Sequence, residues 1–206
     1  MRSDDPPADS RSHVFEVAFI CTGNRARSPF AMEVFRRHAG DLPVAVRSFG
    51  ILDLGHVPAL PKARRAARRH GVDLSSHRAQ SLSAGDLAGS GLAVGFEPMH
   101  VASAVVVGGI ARERAFLLTE LTDLLDGIPA DETAGVSPER LVELVHTARL
   151  QHPRTPVTIA DPVGGSDHDF ATTFERIARH VATLAVRFAG AASREGESPR
   201  LRPRDP

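Results

Sequence analysis

The chain contains one cysteine, Cys21, and its neighbours decide what that thiol can do. Arg27 follows it at the sixth position, and Ser28 comes next, in the run Cys21-Thr22-Gly23-Asn24-Arg25-Ala26-Arg27-Ser28. A loop of this length can curl until successive backbone N–H groups point at one anion. Arg27 brings a planar fork suited to two oxygens of a phosphoryl group. Ser28-Pro29 reads as a helix start, with Ser28 as N-cap and Pro29 in the first turn, and a helix N-terminus favours an anion. The same positive surroundings favour the thiolate over the thiol, and Ser28 can donate a hydrogen bond to the sulfur. The implied chemistry is nucleophilic attack by Cys21 on a phosphoryl group held in the loop. Gly23 is expected to take a backbone conformation that side chains resist, and Asn24 to brace the loop by side-chain hydrogen bonds. A Cys-to-Arg spacing alone is a weak signal, and a lone cysteine is usually a small buried hydrophobe. What sets this one apart is a strand before it and a helix after it.

The elements that must position the loop are legible as alternating patterns. Val14 to Ile20 is a short apolar run that fits a buried parallel strand. A helix from Ser28 carries Ala31, Val34, Phe35 and His38 on one stripe. Strands are expected at 44–49, 92–96 and 115–118, and helices at 59–70, stopped by Gly71, and from about 98. From Thr119 to Pro156 no strand pattern appears, and Ser137-Pro138-Glu139 opens a helix with Leu141, Leu144, Val145 and Ala148 on one face. The last helix, about 167–189, advances in steps of three and four through Phe170, Phe174, Ile177, Val181, Leu184 and Phe188. Strand–helix alternation implies an α/β fold, a parallel sheet covered by helices on both faces. Ligands then sit at the carboxyl ends of the strands, where Cys21 falls.

Composition narrows the class. A length of 206 residues suits one domain, read here as 13–190 between disordered tails at 1–12 and 191–206. The formal net charge is zero, which gives no field for nucleic acid or an anionic membrane. No apolar run is long enough for a membrane span, and residues 1–12 lack the apolar core of a secretory signal, so the expected location is cytoplasmic. One cysteine excludes an internal disulfide and a cysteine metal cluster. The paired arginines Arg64-Arg65 and Arg68-Arg69 read as a solvated helix face.

The run Val17-Ala18-Phe19-Ile20-Cys21-Thr22-Gly23-Asn24-Arg25-Ala26-Arg27-Ser28-Pro29 resembles the signature of the low-molecular-weight protein-tyrosine phosphatases. That resemblance implies a three-layer αβα fold with a four-stranded parallel sheet in the flavodoxin-like order 2-1-3-4. It implies a phosphatase working through a cysteinyl-phosphate without metal or other cofactor. Asp161-Pro162 is similar to the family's Asp-Pro loop, which makes Asp161 the expected general acid and then base. Ser48-Phe49-Gly50 resembles Ser-Ala-Gly, which implies a contact from Ser48 to Asn24. The stretch 71–79 is similar to the family's Gly-Ile-Asp-x-Ser-x-His-x-Ala, which implies His77 as a buried, hydrogen-bonded support of the loop. The 92–97 stretch ends in Glu97 where the family has Met-Asp. The implied partners are a phosphorylated protein and inorganic phosphate or another oxyanion in the loop.

Three departures bear on the reaction. Ala26 stands where many members carry a second cysteine that protects the nucleophile by forming a disulfide. Val163-Gly164-Gly165-Ser166 replaces the aromatics that wall a phosphotyrosine pocket, and the chain has no Tyr and no Trp. Phe49, Leu54 and Phe96 are candidate substitutes, though each also reads as core. Thr22 replaces a bulky aliphatic, which resembles the protein-arginine-phosphatase branch, where the threonine helps select phosphoarginine. The first expectation is phosphotyrosine hydrolysis, with phosphoarginine next. Arsenate reduction with an external thiol and a non-catalytic phosphoprotein-binding module are the other readings. The segment 119–156 exceeds the family core and reads as a helical insertion, with a lid or partner surface as the functional alternative.

Overall fold

The computed structural model describes residues 14–192, except 154 and 156. Its centre is a parallel sheet of four strands in the order β2-β1-β3-β4, formed by β1 (Phe15–Cys21), β2 (Val44–Gly50), β3 (Leu92–Gly95) and β4 (Ala115–Leu117). The register pairs Cys21 with Gly50 and Ile20 with Gly95. The carboxyl ends of the three strands therefore meet at one edge, where the loop after β1 leaves the sheet. The expected strand order is the observed one.

Alternation along β1 explains why both faces are covered. Phe15, Val17 and Phe19 point into the larger core, with α1 (Arg27–Ala39), α2 (Pro61–Arg69) and α7 (Asp167–Ala192). Ala18 and Ile20 point into the smaller one, with Val101 and Ala104 of α3 (Pro98–Val106). Every residue of the stripe expected on the last helix is buried, and Phe174 stacks on Phe30 of α1 at 4.2 Å between ring centroids. Such offset aromatic pairs fix the relative placement of the helices that carry them. The stripe runs one step further than expected. Ala191 is buried in the same core, so α7 continues to Ala192 where a tail was expected. The rest of both expected tails lies outside the described residues. On α1 the stripe holds for Ala31, Val34 and Phe35, but His38 faces solvent, its Nδ1 2.9 Å from the Val34 carbonyl.

The segment after β4 folds as α4 (Leu118–Gly127), a four-residue helix α5 (Ala130–Thr133) and α6 (Pro138–Gln151). Leu121, Leu124 and Leu125 of α4 and Leu141, Val142 and Val145 of α6 join the larger core. Arg149 of α6 reaches back to the Ala115 carbonyl at 3.0 Å and lies 4.1 Å over the Phe116 ring. These contacts attach the segment at the β4 side of the sheet, as a packed part of the fold.

Candidate active site

The loop after β1 returns to within hydrogen-bond range of its own strand. The Cys21 thiol is buried, 3.0 Å from Ser28 Oγ and 3.3 Å from the Asn24 backbone N–H, which donates to it. Helix α1 begins at Arg27, one residue earlier than the sequence suggested, and its N-cap is Ala26 without a side-chain cap bond. Ser28 is thus not the N-cap. Its hydroxyl has one hydrogen and two acceptors in reach, the sulfur and the Phe49 carbonyl at 3.2 Å. A thiolate is the stronger attractor, because charge-assisted hydrogen bonds are the stronger ones.

The strained position in the loop is Asn24, with φ at +50°, and not Gly23. Asparagine tolerates the left-handed region better than most residues. A Cβ on Gly23 would meet the tip of the exposed Leu54 side chain at 3.0 Å, which can swing aside. Gly50 is the glycine needed for space, since its Cβ would lie 2.8 Å from the Gly23 carbonyl carbon and 2.9 Å from Asn24 N. The Asn24 side chain is fully buried and fully used. Its Nδ2 donates to Ser28 Oγ and to Ser48 Oγ, both at 2.9 Å, and its Oδ1 accepts from Gln80 N at 2.9 Å. His77 Nε2 donates to the Asn24 carbonyl at 2.7 Å. The His77 ring is only partly buried, less so than expected, and that burial is the main cause lowering its pKa. Arg25 holds the outer turn of the loop through Nε to the Pro58 carbonyl at 2.9 Å.

Arg27 is buried and differs most from expectation. Its Nη1 donates to Glu97 Oε2 at 2.6 Å and to the Ile159 carbonyl at 2.9 Å. Its Nη2 donates to Thr22 Oγ1 at 3.0 Å and to Asp161 Oδ2 at 2.6 Å. All four terminal hydrogens therefore have protein acceptors. A phosphoryl oxygen can enter the fork only by replacing one of them; the two carboxylates are almost equally exposed, at about 31% for Asp161 and 29% for Glu97, but of the two Asp161 is the one that lines the cavity above the sulfur. Asp161 Oδ1 also accepts from Val163 N at 3.1 Å, which ties the carboxylate to its own turn. Lys62 Nζ on Gly165 O and Arg65 Nη2 on Asp167 hold that turn against α2. Asp167 and Asp169 thus serve the start of α7, the latter through Ser166.

Glu97 and His100 are members of the site that the sequence did not mark as such. Glu97 is the N-cap residue of α3 at the carboxyl end of β3, and His100 closes its capping box. The available signal was the position of Glu97 just past a parallel strand, where such folds place ligand-binding groups. His100 is buried, and burial with the Arg27 charge pushes its pKa down to about 4, against an opposing pull from Asp161.

The cavity above the sulfur has a volume of about 160 Å³ and is lined by the Cys21–Arg27 loop, Asp161, and the aliphatic side chains Leu52, Leu54, Leu60 and Val163. No aromatic lines it. Phe49 and Phe96 are core residues, while Leu54 does reach the mouth. No described residue of 119–156 lines it either. A larger hollow of about 440 Å³ beside α6, lined by Glu113, Glu139 and His146 among others, lies away from Cys21.

Residues 16–127, more than half of the chain, match the family described as low molecular weight phosphotyrosine protein phosphatase. The chain belongs to that family. The matched region takes in α4, so on the C-terminal side only residues after 127 lie beyond it. The probable low molecular weight protein-tyrosine-phosphatase EpsP of Ralstonia nicotianae is 43% identical over 68 residues, 32% of this chain and 45% of that protein. The chain thus spans less than half of this curated relative. The low molecular weight protein-tyrosine-phosphatase Etp of Escherichia coli K12 is 31% identical over 102 residues, 49% of this chain and 67% of Etp. Among solved structures, the low molecular weight protein tyrosine phosphatase of T. tengcongensis shares the fold, with a TM-score of 0.63 and 23% identity over 84% of this chain and 99% of the other. No described helix is long and apolar enough to cross a membrane.

Proposed function

We propose that the chain is a protein phosphatase whose nucleophile is Cys21, acting on phosphorylated proteins and, first among them, on phosphotyrosine. The observation that supports this most is the placement of the Cys21 sulfur under one small cavity, with Asn24 N and Ser28 Oγ against it and Arg27 and Asp161 beside it. In the first step Cys21 attacks phosphorus and the bond to the leaving oxygen breaks, with Asp161 giving that oxygen its proton. In the second, water attacks the cysteinyl-phosphate, Asp161 takes the water's proton, and the S–P bond breaks to release phosphate. Arg27 carries the added charge through both steps once Asp161 has released its Nη2. A phosphoarginine reading keeps one observation in its favour, the Thr22 hydroxyl in the wall where a bulky aliphatic would exclude polar contact.

Hydrolysis of p-nitrophenyl phosphate at mildly acidic pH tests the class. Wild type should turn it over, and Cys21→Ser should lose more than about a thousandfold in kcat, as removal of a nucleophile does elsewhere. A well-folded wild type without turnover would defeat the proposal. Comparing kcat/KM on phosphotyrosine and phosphoarginine peptides, for wild type and Thr22→Ile, separates the two substrates.

A further inference from the structure

The phosphatase reading above, which is assumed here, leaves His100 without a task. The ring sits in the first turn of α3. Its Nδ1 accepts from two backbone N–H groups, Glu97 at 3.1 Å and Phe96 at 3.3 Å. That nitrogen therefore carries a lone pair, and the ring hydrogen is on Nε2. Nε2–H donates to Thr22 Oγ1 at 3.1 Å. Glu97 Oε2 lies 3.7 Å from the same nitrogen, beyond hydrogen-bond reach. With the pKa held near 4, the ring stays neutral in this tautomer through ordinary pH.

Thr22 Oγ1 receives a second hydrogen bond from Arg27 Nη2 at 3.0 Å, and a guanidinium has only hydrogens to give. A hydroxyl offers two lone pairs and one hydrogen. Both lone pairs are taken, and among the described residues the hydroxyl's own hydrogen has no acceptor. Thr22 lines the cavity beside Cys21. A phosphoryl oxygen that takes the place of Asp161 on Nη2 leaves the Thr22 contacts intact.

We infer that His100 is a positioning residue that makes the Thr22 hydroxyl an obligate hydrogen-bond donor to an oxygen of the bound phosphoryl group. Every non-bridging oxygen of that group is an acceptor, so a hydroxyl fixed as donor matches it.

Two measurements test this. Two-bond 15N–1H spectra of wild type should show His100 protonated on Nε2 and bare on Nδ1 between about pH 5 and about pH 8; the other tautomer overturns the inference. The dissociation constant of inorganic phosphate is then measured by calorimetry for wild type, Thr22→Val, His100→Leu, the double variant and His100→Gln. Thr22→Val and His100→Leu should each weaken phosphate roughly tenfold, as loss of one hydrogen bond to a charged ligand does. The double variant should lose no more than either single one. His100→Gln, which can accept with Oε1 and donate with Nε2, should stay within about threefold of wild type. Losses that multiply, or a folded His100→Leu that binds as wild type, overturn the inference. Where His100→Leu does not fold, the tautomer and the contrast between His100→Gln and Thr22→Val decide. Phosphate affinity needs no turnover. An inactive protein with this binding pattern defeats the phosphatase reading alone, and an active protein without it defeats the His100 assignment alone.

Discussion

On the floor of the cavity Asn24, Ser28, Ser48 and His77 share neutral hydrogen bonds of 2.7–2.9 Å, all made within the loop or to its immediate supports. On the wall Arg27 holds Glu97 and Asp161 at 2.6 Å each, with Thr22 and His100 behind them. The floor satisfies every polar group of Asn24 and has no reason to move. The wall satisfies every terminal hydrogen of Arg27, one of them with Asp161, the proposed general acid. A buried ion pair of this kind is costly to break by deleting one partner and easy to replace with a better one. A phosphoryl dianion is such a replacement. Under the proposed function the floor therefore presets geometry, while the wall exchanges partners on binding.

Removing the exchanged partner should have the largest effect. Asp161→Asn is expected to lower kcat on aryl phosphates by about a thousandfold, within the range for a lost general acid. Phosphate should bind the variant at least as tightly as wild type, because the competing carboxylate is gone from Arg27. Weaker phosphate binding, measured by calorimetry, would instead make Asp161 part of the binding floor. Next comes the floor itself. Asn24→Ala leaves Gln80 N, Ser48 Oγ and Ser28 Oγ without their partner and puts alanine at φ +50°. The summed cost is about 4 kcal/mol of stability, read from urea denaturation. A loss below about 1 kcal/mol would mean that the floor is not what fixes the loop.

How far the sequence reaches differs between the same two regions. The Cys21 surroundings were legible because the loop sits between a strand and a helix, while the Ser48–Asn24 contact and the His77 support were implied only by the resemblance of short motifs to a known family. The sheet order came with the same resemblance, whereas α7 was legible from its own pattern: an apolar stripe from Phe170 to Phe188 has one face to bury. The wall was not. Arg27 meets Glu97, Ile159 and Asp161 across long sequence separations, and no local pattern reports which acceptors fill a guanidinium. Ser28 was misplaced as the N-cap because a serine before proline satisfies the local rule, whereas the sulfur and Asn24 claim its hydroxyl in the fold. Asn24 braces the loop as expected, but it also takes the left-handed backbone expected of Gly23, because spacing alone does not say which of two neighbours adopts it.

The wall also carries a pH signature that the floor shares only weakly. His100 is neutral in the folded protein with a pKa near 4, while in the unfolded chain it protonates near the ordinary 6.5. Below about 6.5 the unfolded state binds a proton that the folded state refuses, so stability is full above that pH and falls as pH drops toward 4. The loss levels off below about 4 and amounts to about 3 kcal/mol. The lowered pKa values of His77 and His180, each due first to burial, act with the same sign. Urea midpoints between about pH 7 and about pH 4 should therefore decline in wild type and decline much less in His100→Gln. An equal decline in both would move the acid sensitivity from the wall to His77 and His180.

The smallest effect concerns the sulfur that floor and wall share. With Ala26 in the loop and no other cysteine in the chain, a sulfenic acid formed on Cys21 has no thiol of its own chain to trap it as a disulfide. Peroxide should then carry part of the protein past the reversible stage, and dithiothreitol should restore only a fraction of the lost p-nitrophenyl phosphatase activity. Placing a cysteine at the loop position should raise that fraction, so Ala26→Cys is expected to recover more activity than wild type after the same exposure. Full recovery of wild type would show that the floor protects the sulfur by burial alone, with Asn24 N and Ser28 Oγ packed against it. Ala26 is itself buried, so the added sulfur must be accommodated by the N-cap of α1, and the variant's phosphate affinity reports whether the floor survives it.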